Sequence, residues 1–442
     1  MDHPRLAITH VTLIDGTGGP PVPDATVVVA GDRIEAAGAG VAPPPGAEVV
    51  DGTGRWLIPG LIDMHVHVNL CGEEALPLWL ANGVTSVRDT GGDVSRLIPW
   101  RREIAEGARV GPRLFTYGPM IDGEPPTWPG AMFGGLTVVA ADPEAGAREA
   151  ERLIQAGVDG FKLYANLPPE TLERIIRRVD GRVPVTGHLG RTSASHAIDC
   201  GINCLEHLFL TVYNDVVRPE DRYPEGHTMM TPGFWGMLHR GWANADFDLP
   251  HARTWIDRAV AAGVVLSPTL DLVSGTLGTG EASEEPGLAY VTPSLRERWD
   301  QRPRGAGAGP ESPEVIRASV TRQLEFIARF HAAGGRLVAG TDVGAVYPLV
   351  PGFSLHRELA MLAAAGLPPL EVIRCATRNA AEALRWGDRL GTVEPGKLAD
   401  LVLLDADPLA DIGNTRRVVA VFQGGRRYDP KDLLGTASQH NP

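Results

Sequence analysis

The chain alternates two textures. At its two ends, apolar and β-branched residues crowd into short runs between Gly, Pro and Asp turns. LAITHVTLIDG, ATVVVAGDRIEAAG and AEVVDGTG lie at the start, and RLGTVEPGKLADLVLLDADPL and RRVVAVFQGGRRYD near the end. Such runs predict strands. In the middle, apolar runs of strand length take turns with amphipathic stretches. The runs are WLIPGLIDMH, GVTSVRDT, PRLFTYG, GFKLYA, VPVTGH, CLEHL, VVLSPTL and RLVAGTD. The stretches include PEAGAREAERLIQAG, PETLERIIRRV, HARTWIDRAVAAG and VIRASVTRQLEFIARFHAAG, several of which stop at a Gly, a common helix end. Strand–helix alternation repeated about eight times predicts a closed parallel barrel. A doubly wound open sheet competes, but no Gly-rich phosphate-binding turn follows the first strand. The expected fold is α/β: a (β/α)8 TIM barrel over 56–389, with a discontinuous β-sandwich domain formed by the N- and C-terminal segments, 1–55 and 390–442.

Three connections are long: 119–141, 208–250 and 271–312. All three leave the C-terminal ends of predicted strands, the face on which barrel enzymes carry their active sites. Segment 208–250 holds Phe209, Tyr213, Tyr223, Phe234, Trp235, Trp242 and Phe247. That aromatic density argues against disorder. It suits a lid, an aromatic-lined pocket or a surface subdomain with its own small core.

Composition narrows the class of partner. With 442 residues, 43% hydrophobic and 21% charged, the chain can bury a full core. A net charge of -13 argues against nucleic acid or an anionic membrane as partner, since both require a basic face. The four cysteines form neither a disulfide framework nor a zinc ribbon. The N-terminus lacks the basic-then-apolar pattern of a secretory leader, and no apolar run approaches the roughly 18 residues of a membrane helix. A cytoplasmic setting and a small-molecule substrate are expected, with homo-oligomerisation left open.

Candidate chemistry sits at strand ends. In Asp63-Met64-His65-Val66-His67, alternate side chains share a face, so His65 and His67 point together and can share one metal ion. Alone, this pair is a weak signal. Lys162 lies within the apolar run GFKLYA, where burial of an ammonium demands a chemical purpose or a shifted pKa. His188, His207 and Asp342 each end a separate predicted strand. Any one of them would pass for a satisfied buried polar group. Together on one rim, they mark a site.

This set, in this order on successive strands, resembles the amidohydrolase superfamily. The lysine is similar to that of the subtype whose two metals are bridged by a carboxylated lysine. The phrases WLIPGLIDMHVH, GFKLYA, EHL, SPTL, AGTD, CATRNAAEALRW and GTVEPGKLADLVLLDADPL resemble the branch containing imidazolonepropionase-like proteins, prolidases and Xaa-Arg dipeptidases. The resemblance covers nearly the whole chain, including its β-rich ends. It implies one metal between His65, His67 and Asp342, a second between His188 and His207, and a carbamate on Lys162, formed from CO2, that bridges them. An imidazole-rich set with carboxylate oxygens suits Zn2+.

The implied reaction is attack by a metal-bridging hydroxide on an amide bond, with Asp342 moving the proton and Tyr164, two residues past Lys162, as an oxyanion donor. A dipeptidase or N-acyl amino acid amidohydrolase is expected. Arg191, Tyr213 and His239 are candidate substrate contacts; Arg88, Arg218, Arg222 and Arg240 are further cations for a carboxylate. The competing readings are a lactone, phosphotriester or cyclic amide hydrolase on the same site, a mononuclear deaminase, and a non-catalytic binding barrel. Lys162 favours the binuclear centre, and the complete ligand set argues against a barrel that has lost catalysis.

Overall fold

The computed structural model of the chain describes residues 5–128, 136–224, 226–229, 231–273, 286–300, 311–345 and 348–438. The β-rich ends come together in one eight-stranded sheet. Its order is Arg426–Tyr428, Val418–Gln423, Leu401–Leu404, Trp56–Pro59, Arg5–Leu13, Val22–Ala30 and Arg33–Ala39, with Glu48–Asp51 also paired to Arg5–Leu13. Strand Leu401–Leu404 runs antiparallel to Trp56–Pro59, in the register Leu401 to Pro59 and Leu404 to Trp56. Alternating apolar positions such as Ile8, Val27, Leu57, Leu401 and Phe422 form a core of their own beneath this sheet.

The run WLIPGLIDMH therefore divides at Gly60. Its first half, Trp56–Pro59, belongs to the terminal sheet, and its second half begins the strand Leu61–Val66. A Cβ at Gly60 would lie 2.1 Å from Thr85 Oγ1, so only glycine lets the chain cross between the two sheets here.

The middle of the chain is an α/β body of parallel strands. Leu61–Val66, Val84–Asp89 and Arg113–Thr116 form one sheet. A seven-stranded sheet runs in the order Thr137–Val139, Met120–Asp122, Phe161–Leu163, Val185–Gly187, Cys204–Glu206, Val265–Ser267 and Arg336–Leu337. Backbone bonds tie these two sheets together at both sides. Asp159 N–H donates to Thr116 O (2.8 Å), Met64 N–H to Ala339 O (2.9 Å) and Asp342 N–H to His65 O (2.8 Å). Val66 and Val343 form a parallel bridge.

Helices between the strands form where the apolar periodicity predicts them. Pro143–Ala156 starts on the Asp142 side chain, which accepts from Ala145 N–H, and stops at Gly157 in the left-handed region with φ 88°. Ala147, Ala150 and Leu153 turn one face of it inward. No described helix is long and apolar enough to cross a membrane.

Two of the long connections contain regular structure. In 119–141, Met120–Asp122 and Thr137–Val139 pair as parallel strands; residues 129–135 lie outside the described residues. Segment 208–250 carries the helices Leu208–Thr211, Tyr213–Val216 and Phe234–Ala243. Trp242 packs edge-on to Tyr213 and to Phe326 of helix Pro313–Ala332. This segment thus has its own aromatic core, continuous with the main one. Of the third connection, 271–312, residues 274–285 and 301–310 lie outside the described residues.

Candidate active site

The six predicted ligands form one buried cluster at strand ends. His65 and His67 emerge on the same face of Leu61–Val66 and its end, as strand alternation requires. Asp342 Oδ1 lies 3.3 Å from His65 Nε2 and 3.2 Å from His67 Nε2. Lys162 Nζ is 3.0 Å from His65 Nε2. The His65 and His207 ring centroids are 4.5 Å apart, and those of His207 and His188 4.4 Å apart. His65, His207 and Asp342 each offer an atom within 4.8 Å of the others.

Two of these residues leave regular strand geometry. His207 has φ 57° and Asp342 φ 63°. Both lie in the left-handed region, which non-glycine residues seldom occupy and which is held only where surroundings enforce it. The turn at His207 starts helix Leu208–Thr211 and lets Glu206 and His207 both serve the cluster, which a straight strand would forbid.

The hydrogen bonds orient each ring. The Gly91 carbonyl can only accept, so its 3.2 Å contact with His67 puts the proton on Nδ1. His65 Nδ1 lies 2.6 Å from Glu206 Oε2, and His207 Nδ1 2.9 Å from Thr269 Oγ1. Burial drives the pKa values of His65, His188 and His207 well below the usual imidazole value, assisted by the Lys162 charge and by neighbouring histidines. These rings are therefore neutral. With their Nδ1 atoms engaged in this way, His65 and His67 aim Nε2 at Asp342 Oδ1, a buried oxygen that accepts no hydrogen bond among the described residues. Three lone pairs facing one another repel unless a cation lies between them. The donor set thus fits a metal ion.

Lys162 is buried at 1% exposure. Burial lowers its pKa to about 8 against the opposing pull of Asp342 and Glu206. That shift makes the neutral amine, the form that reacts with CO2, far more accessible near neutral pH than in an exposed lysine.

Beneath the cluster lies a polar layer that strand periodicity does not disclose. Glu206 and Arg88, both buried, form an ion pair through Glu206 Oε1, which also accepts from Thr186 Oγ1. Burial alone would raise the Glu206 pKa, but Arg88 outweighs it and the carboxyl stays ionised. Arg88 Nε donates to Met64 O (2.5 Å). Removing one partner of such a buried pair costs roughly 3–5 kcal/mol. Arg88 is therefore a structural cation inside the body and not a substrate anchor. Asp63 links the first and last strands by accepting from Thr341 Oγ1 (2.7 Å), Thr341 N–H (3.1 Å) and His65 N–H (3.2 Å). The EH dipeptide at 206–207 was the available signal for Glu206, but alternation assigns its two side chains to opposite faces.

The remaining candidates separate. Tyr164 packs edge-on to His188 at 4.8 Å, and its hydroxyl oxygen accepts from Trp128 Nε1 at 2.8 Å. Arg191 is exposed, three residues past His188. Tyr213 is buried, and its hydroxyl donates to Asp221 O (2.7 Å), with Met237 O 3.2 Å away, inside the aromatic segment. Arg218 pairs with Asp221 and Arg240 with Glu311. His239 is fully buried against Phe209, with ring centroids 4.8 Å apart, and neither nitrogen has a hydrogen-bond partner among the described residues.

Comparison with known proteins agrees with this geometry. The chain matches the Amidohydrolase family model over residues 56–427 and belongs to that family. It is a hydrolase acting on carbon–nitrogen bonds. Imidazolonepropionase from Mesorhizobium japonicum is 27% identical over 425 residues, 91% of each chain. N-acyl-D-aspartate deacylase from Alcaligenes xylosoxydans xylosoxydans is 30% identical over 216 residues, only 43% of each chain. The crystal structure of a Xaa-Pro dipeptidase with methionine in its active site shares the fold, with TM-score 0.68 at 19% identity over 96% of this chain and 100% of that one.

Proposed function

We propose that the chain is a binuclear metal-dependent amidohydrolase that cleaves the amide bond of a dipeptide or an N-acyl amino acid. In this reading the parallel strands close as one (β/α)8 barrel, and the terminal segments build a β-sandwich beside it. His65, His67 and Asp342 would hold one divalent ion, His188 and His207 would hold a second, and a carbamate on Lys162 would supply oxygen donors to both. The observation that carries the reading is the convergence of His65 Nε2, His67 Nε2 and Asp342 Oδ1, an oxygen with no hydrogen bond among the described residues, on one buried point.

Two divalent ions, Zn2+ by the chemistry of the donors, would supply an acidified water and polarise the scissile carbonyl. The residues perform the remaining work. Asp342 takes the proton of the attacking water and passes it to the leaving amine. Tyr164, oriented by the Trp128 indole N–H, donates its hydroxyl proton to the developing oxyanion. Exposed Arg191 pairs with the substrate carboxylate at the rim. The Lys162 ammonium gives up one proton to become the amine and a second as the nitrogen bonds to CO2, so an acceptor-free group becomes a carbamate with oxygen donors. The partial match to N-acyl-D-aspartate deacylase supports an acylated amino acid as substrate class.

The test is Lys162→Ala, with metal content and turnover of dipeptides and N-acyl amino acids measured together. Metal is expected to fall below two ions per chain, with turnover lost and partly restored by a short carboxylic acid. Unchanged metal content and rate would remove the carbamate.

A further inference from the structure

The contacts around His65 run on as an unbroken path through the interior. Arg88 donates to Glu206 Oε1, as does Thr186 Oγ1; Glu206 Oε2 meets His65 Nδ1 at 2.6 Å; His65 Nε2 meets Lys162 Nζ at 3.0 Å. Five residues on five different strands are joined by it. All five are at most 1% exposed, so water does not compete for any of these bonds. Each link has a direction. Arg88 only donates, and ionised Glu206 only accepts, so the proton between Glu206 and His65 belongs to Nδ1. The Nε2 atom is then an acceptor, which agrees with the Lys162 amine lying beside it.

We infer that Glu206 is a positioning residue which, clamped by Arg88 and Thr186, locks His65 in its Nδ1–H form and so presents Nε2 to the metal. The inference rests on the reading of His65 as a ligand. Two features separate it from mere packing. The carboxylate is held from both sides: Arg88 and Thr186 occupy one oxygen, which fixes the other on the ring. The strand register reinforces this, since Lys162 pairs with Thr186 and Thr186 with Cys204, which sets Thr186 level with Lys162 and two residues before His188 on its own strand. A carboxylate at Nδ1 also increases the basicity of Nε2, so it strengthens the ligand as well as aiming it.

The experiment uses the full chain, wild type and Glu206→Gln, with Zn2+ as probe. Zn2+ affinity is measured by competition with a chromogenic chelator, and the His65 tautomer in the metal-stripped protein by nitrogen-15 chemical shifts. Wild type is expected to bind Zn2+ and show His65 protonated on Nδ1. E206Q, whose amide can either donate or accept, should bind Zn2+ about 10- to 100-fold more weakly and populate the Nε2–H form. A purely structural role would leave the tautomer unmoved. Wild type that fails to bind Zn2+ overturns the metal-site reading itself. Wild type that binds Zn2+ but carries the His65 proton on Nε2 overturns this inference alone, as does a folded E206Q with unchanged affinity and tautomer. Should E206Q not fold, the wild-type tautomer still decides.

Discussion

Residues 204–207 and the aromatic side chains Phe209, Tyr213, Trp242 and Phe247 that follow them are buried to a similar depth, yet they exclude water for opposite purposes. Around Glu206 and His207, burial intensifies charge: an ion pair, a hydrogen-bonded carboxylate and neutral imidazoles are fixed in direction by partners on other strands. In the segment that follows, burial serves packing. Tyr213, Trp242 and Phe247 meet ring to ring or through Phe326, Phe209 stacks on Trp235, and the Tyr213 hydroxyl and Trp242 indole are spent on backbone carbonyls. One residue breaks this pattern. His239 lies in the aromatic region with neither ring nitrogen hydrogen-bonded among the described residues. The comparison shows that burial alone does not identify function; the completeness and direction of hydrogen bonding does.

The largest effect that would test the contrast is on the polar side. Asp342→Asn keeps the shape of the side chain but loses the proton acceptor. Turnover is expected to fall roughly 10²–10⁴-fold with metal retained; full activity would remove Asp342 as the base.

On the aromatic side, Trp242→Ala deletes a fully buried ring and its bond to Phe209 O. It should cost about 3–5 kcal/mol of stability by denaturant titration, while metal content stays as in wild type. Loss of metal from the folded variant would show that the two regions are coupled.

His239 gives the smallest and most diagnostic effect. Burial lowers its pKa to about 4 from 6.5. Above 6.5 the ring is neutral in both states and the fold keeps its full stability. As pH falls from 6.5 towards 4 the unfolded chain takes up a proton that the fold refuses, so His239 should destabilise the fold by about 3 kcal/mol at pH 4. His239→Leu should abolish that part of the acid sensitivity, read as the difference between wild-type and variant denaturation midpoints at pH 7 and pH 4. The same variant tests the substrate role: a raised KM at unchanged kcat makes His239 a substrate contact, and an unchanged KM leaves it to packing.

Much of this molecule can be read along the chain, for identifiable reasons. The His65–His67 pair is legible because a strand repeats every two residues. Helices such as Pro143–Ala156 are legible from their caps as well as their periodicity. The rule fails at His207 and Asp342, where left-handed backbone redirects a side chain that alternation would have misplaced. Strand alternation says nothing of Tyr213, which opens the separate short helix Tyr213–Val216 and packs on Trp242. Arg88 reads as a surface cation in one dimension, since its partner Glu206 is 118 positions away.

The amino-acid sequence alone determined which donors stand at strand ends, where apolar faces lie, and to which family the residues point. The tertiary structure alone decided which atom of each donor faces inward. The proton on an imidazole is assigned by whatever meets its other nitrogen, and for His65 that group arrives from 141 residues further along the chain.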